Sequence, residues 1–136
     1  MAVGADRRDL EKAVLATANG NAALSTAVDS DVCYDHVPDG TTMPYITYHF
    51  VTDDPINTFA DQFEDVTVQF SLFDKRSSVA YIEAISSDLD LVFNRKTLTY
   101  DSASAIGCIR AGQTNAQWFA EDRCWMKTID YSITFK

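Results

Sequence analysis

The sequence predicts an α+β domain: a mostly antiparallel twisted sheet of about four to six strands with two main helices packed on one face. Three observations carry this. The run Val66–Phe73, VTVQFSLF, sets Val66, Val68, Phe70 and Leu72 on one side and Thr67, Gln69 and Ser71 on the other, which is the period of a half-buried strand. Trp125–Phe135 alternates in the same way, with Trp, Lys, Ile, Tyr, Ile and Phe at the odd positions and Lys127 as its single interruption. Between these strands the spacing switches to that of a helix. Val79, Ile82, Ile85 or Ser86, Leu89 and Val92 or Phe93 recur at threes and fours, with Ser77 or Ser78 as the cap and an end near Asn94.

The remaining elements fit around these three. Asp6–Ala18 carries Leu10, Ala13, Val14 and Ala18 on one stripe, with Thr17 a polar blemish on it, and Asn19-Gly20 stops this first helix. A short helical piece, Asn21–Val28, follows. Val32-Cys33-Tyr34 is extended, and Asp35-His36-Val37-Pro38-Asp39-Gly40 reads as a turn, since proline fixes one φ and glycine supplies a positive one. Pro44 cannot donate to a ladder and marks the start of a strand in which Ile46, Tyr48 and Phe50 share a face opposite Thr47 and His49. Short extended segments are expected at Thr97–Tyr100, Ile106–Arg110 and Ala116–Ala120.

Thr52–Asp65 breaks the alternation with Pro55, five acidic residues (Asp53, Asp54, Asp61, Glu64 and Asp65) and the aromatics Phe59 and Phe63. A loop of this length between strands is uncommon unless it has a function or lacks order. It is either a solvated hairpin tip or a contact arm whose apolar residues, with Ile56, dock on a partner.

At 136 residues the chain is expected to be one domain, 1–136, large enough to bury a core without disulfides. Its three cysteines, Cys33, Cys108 and Cys124, make no CxxC pair, and Met1–Asn21 lacks the apolar core of a signal peptide. They read as reduced, buried, cytosolic thiols. No apolar run approaches the roughly 20 residues a membrane helix needs, so no membrane contact is expected. The net charge of −9 argues against tight binding to a phosphate backbone, whose affinity comes from Lys and Arg displacing counterions. Acidic charge either keeps the protein soluble or lines a conduit past which nucleic acid slides without sticking.

No catalytic constellation is apparent. Cys33 beside Asp35 and His36 invites a thiolate nucleophile, but no element aims the imidazole at the thiol, and a packed cysteine beside a turn histidine is the simpler reading. His36 and His49 lie in no HxH or HxxxH pair, and the acidic cluster lacks the glycine and spacing of a calcium loop. The five glycines make no phosphate-cradling motif. Neither metal nor cofactor is therefore expected. Without a reactive group the sequence points to a structural or binding role, with a small Cys/His enzyme and a generic ligand-binding module as rivals.

The run VCYDHVPDGTTMPYI (Val32–Ile46), then VTVQFSLF, a helix and the closing WMKTIDYSITF, resembles the tail-terminator (tail-completion) family of long-tailed phages and gene transfer agents. Tyr34, Asp35, Val37, Pro38, Gly40, Pro44 and Tyr45 match that family's pattern Y-D-x-V-P-x-G-x-x-x-P-Y as a structural turn motif. The resemblance implies a non-enzymatic virion protein, assembled in the host cytoplasm. It would work as a homomeric ring, usually a hexamer, at the head-proximal end of the tail. Such a ring caps the major tail-tube protein, then joins a head-completion or connector protein, and DNA passes through without specific binding. A head-closure connector is the alternative within the same class. On this reading Asp53, Asp54, Ile56, Phe59, Asp61, Phe63, Glu64 and Asp65 form the interface to the tube or a neighbouring subunit.

Overall fold

A computed structural model describes residues 14, 16–18, 33–34, 43–57, 62–76, 78–96 and 105–135, with backbone alone at 33–34, 52–57, 62–64, 105–106 and 135. Six strands and two helices are present among them. Helix α1 is described at residues 14 and 16–18. The strands are β1 (Cys33–Tyr34), β2 (Tyr45–Asn57) and β3 (Gln62–Asp74), followed by helix α2 (Ala80–Phe93), then β4 (Ala105–Gln113), β5 (Gln117–Phe119) and β6 (Cys124–Phe135). The sheet order is β1-β2-β3-β6-β4, with β5 also pairing with β6. All the pairings are antiparallel except β1 with β2, which is parallel at Cys33↔Thr47 and Tyr34↔Tyr48.

The alternating sequence becomes one buried face. Ile46 and Tyr48 from β2, Val66, Val68, Phe70 and Leu72 from β3, Cys108 from β4 and Ile129, Tyr131 and Ile133 from β6 form a single cluster with both helices. Helix α2 contributes Ile82, Ile85, Ser86, Leu89, Val92 and Phe93, and α1 contributes Val14 and Ala18, so both helices cover the same side. Phe70 is central, with ring centroids 4.9 Å from Phe93, 5.8 Å from Tyr131 and 6.0 Å from Tyr48.

Several boundaries move from their expected places, each for a physical reason. Thr52–Asp65 is not a loop. Strand β2 runs through Asn57 and β3 starts at Gln62, with Asp54 opposite Asp65, Pro55 opposite Glu64 and Ile56 opposite Phe63. A register shift between Phe50 and Thr52 breaks the alternation without ending the strand. Among the described residues nothing pairs with β2 beyond Tyr48 except β3, so Pro55 stands on an edge, where a missing N–H need not cost a ladder bond.

Val79 is not on the apolar stripe of α2; it is the N-cap, 39% exposed, and makes no side-chain cap bond. Ser78 supplies one instead, its Oγ accepting the Ala80 N–H at 3.2 Å. The interruption at Lys127 is buried rather than tolerated at the surface: its Nζ donates to Glu83 Oε2 of α2 at 2.8 Å. Strand β4 extends past Arg110 to Gln113, and β5 is limited to Gln117–Phe119. The second helical piece at Asn21–Val28, the turn Asp35–Gly40 and the extended segment at Thr97–Tyr100 lie outside the described residues.

Candidate functional site

The β2–β3 hairpin is the candidate contact element. Its last rung shared with the rest of the sheet is Glu64↔Phe135; the rungs Ile56↔Phe63 and Asn57↔Gln62 lie beyond it and carry no third strand among the described residues. The described acids lie at the base of this hairpin, where β3 still pairs with β6, and Ile56 and Phe63 lie on the two-stranded part beyond it. Asp53, Asp54 and Ile56 stand on β2, and Phe63, Glu64 and Asp65 on β3. Phe59 and Asp61 belong to the tip, outside the described residues. Asp54 stands directly opposite Asp65 in the ladder, a like-charge pairing that works against the hairpin on its own. Asp65 Oδ1 accepts from Ser132 Oγ at 2.6 Å, tying the base of the arm to β6.

Of the turn motif, Tyr34 pairs with Tyr48 in the ladder, Pro44 is buried and Tyr45 opens β2, its ring 5.1 Å from Phe73. Asp35, Val37, Pro38 and Gly40 lie outside the described residues, as does His36.

The face away from the helices is mixed: Tyr45, Phe73 and Met126 form one row, and the rows beside it are polar. Thr47, Ser71 and Thr128 share one row of the ladder, and His49, Gln69 and Asp130 another. Among the described residues no group of three or more His, Cys, Asp or Glu could hold a metal ion. No described helix is long and apolar enough to cross a membrane. Cys108 and Cys124 are free and buried. Burial, with Asp90 nearby, pushes the Cys108 thiol up to about 12, and burial with Asp122 raises that of Cys124, so neither is a ready thiolate.

A second surface was missed in the residue pattern. The connection from α2 to β4 is locked onto the outer side of β4: Arg95 N–H donates to Cys108 O at 2.7 Å, Cys108 N–H to Lys96 O at 2.9 Å and Arg110 N–H to Asn94 Oδ1 at 3.0 Å. Arg95 takes φ 60 to make this turn. Three exposed cations, Arg95, Lys96 and Arg110, therefore line the edge of β4. Further along the same border Ile109, Trp118 and Phe119 are exposed, with Trp118 edge-on to Trp125 at 5.4 Å. The sequence signal was present: Ala105–Ala120 contains one charge, Arg110, in a chain with 20 acidic residues.

Comparison with known proteins agrees with this architecture. The family model for tail completion protein gp17 matches residues 12–120. No curated protein sequence matches the chain. Among solved structures, a chain from the virion of a native gene transfer agent particle superposes with a TM-score of 0.79 at 15% identity, over 94% of this chain and 95% of that one.

Proposed function

The chain belongs to the tail completion protein gp17 family and is a structural protein of the virion tail, and from that premise we propose that it closes the tail tube as a ring of copies and forms part of the joint to the head. The ring, usually six copies in such proteins, sits on the major tail-tube protein and receives a head-completion or connector protein on its other side. No bond is made or broken by its side chains. A sixfold ring would carry roughly −54, six times −9, and carboxylates facing the channel let DNA pass by repulsion rather than hold it.

The observation that carries this reading is the family match over residues 12–120, joined to an acid-rich hairpin whose outer rungs reach past the sheet. That hairpin, with Asp53, Asp54, Ile56, Phe59, Asp61, Phe63, Glu64 and Asp65, is the contact arm. Replacing residues 57–62 by Asn-Gly closes the shortened hairpin with a two-residue turn and leaves the core untouched. The variant should fold with an unchanged thermal midpoint yet fail to complete tails in a complementation assay. Full complementation by the folded variant removes the arm from the function.

A further inference from the structure

The arm and the β4–β5 border lie on opposite sides of one sheet and differ in chemistry. Residues 52–65 hold five acids and no base, whereas 105–120 hold no acid. The border presents Arg95, Lys96 and Arg110 beside β4, and Ile109, Trp118 and Phe119 along the ribbon itself. Arg110 is partly engaged, 3.4 Å from Asp90, while no ion pair of Arg95 or Lys96 occurs among the described residues. Glu121, Asp122 and Arg123 follow only after the ribbon ends. Depletion of charge around exposed aromatics is the composition of an interface centre, and the cations at its margin ask for an acidic counterpart.

We infer that the β4–β5 border of each copy receives the β2–β3 arm of the next copy. Charge fits on both sides, and so does apolar content, since the arm brings Ile56, Phe59 and Phe63. Length fits as well. Strand β2 from residue 52 to 57 spans about 17 Å, and the border from Arg110 to Trp118, opposite Tyr131 and Trp125 of β6, spans about 20 Å, enough to receive it. Two different patches on opposite borders make a head-to-tail contact, which closes into a ring when the rotation permits. This assignment rests on the ring reading above and specifies which surfaces form it.

The test places a photo-crosslinking phenylalanine analogue at Phe119 in the full chain, in assembled particles. The expected product is an adduct between two copies, mapped within residues 52–65. An adduct between copies that maps elsewhere, an adduct to another particle protein, or no adduct in particles that contain the chain overturns the docking while leaving tail completion standing. Absence of the chain from purified particles overturns the tail reading itself. A charge exchange checks the same contact independently. Lys96→Glu and Asp54→Lys alone should each lower tail completion about tenfold, and the two together should restore it; full activity of both single variants, or no restoration in the pair, contradicts the contact.

Discussion

Lys127 Nζ lies 2.8 Å from Glu83 Oε2, joining the middle of the sheet to the first turn of α2. The lysine is 5% exposed and its partner 48%, so the ammonium is held dry by one carboxylate that water still reaches. Glu83→Ala should lower stability by about 1–3 kcal/mol, because it leaves a buried cation unpaired. Lys127→Met, which fills the same space without charge, should be neutral or stabilising. Urea midpoints of the two variants decide it: equal losses would mean that the ion pair is itself net stabilising, and no loss in either would mean that the lysine contributes by packing alone.

Phe70 touches rings from three other elements, so its truncation cannot be absorbed by one neighbour. Phe70→Ala should cost about 3–5 kcal/mol, and Phe70→Leu distinctly less. Chemical denaturation measures both. A loss under 1 kcal/mol for the alanine variant would place the centre of the core elsewhere.

The Cys108 thiol, raised to about 12, keeps its proton in the folded state at a pH where the unfolded chain has lost it. Tyr131 is shifted upward too, first by burial and then by its hydrogen bond to Asp90. Above pH about 9 the unfolded state therefore binds fewer protons, and stability falls as pH rises, by at most about 1.4 kcal/mol per unit for each group. Below that pH the contribution is fully present. Stability measured between pH 8 and 11 should decline, and Cys108→Ala should flatten the decline.

Tyr131 donates to Asp90 Oδ1 at 3.0 Å, while Asp90 Oδ2 faces Arg110 at 3.4 Å. Tyr131→Phe keeps the ring and removes one donor from a carboxylate that retains a cation, so the expected cost is about 0.5–1.5 kcal/mol. A larger loss in thermal or urea unfolding would show that the hydroxyl also positions β4.

The centre of this fold was readable because its residues obey one period each. Val66–Leu72 and Ile129–Ile133 alternate cleanly, and Ile82, Ile85, Leu89 and Val92 keep helical spacing, so β3, β6 and α2 followed from side-chain order alone. The arm was hidden because Pro55 and its acids are the residues that usually mark a loop, and only strand pairing shows that an edge position tolerates them. Lys127 looked like a flaw until Glu83, 44 residues away, was placed beside it. Strand β1 spans two residues and pairs in parallel with β2, a relation no local pattern encodes. The cationic border depends on Asn94, Arg95 and Lys96 folding back onto β4, a contact that joins distant positions and leaves no periodic trace.

Electron microscopy of tails made without this protein tests the central claim most directly. The account predicts tubes of irregular, overgrown length, separated from filled heads, with normal tails restored by the full chain supplied in trans. Tails of uniform length joined to heads in its absence would contradict it.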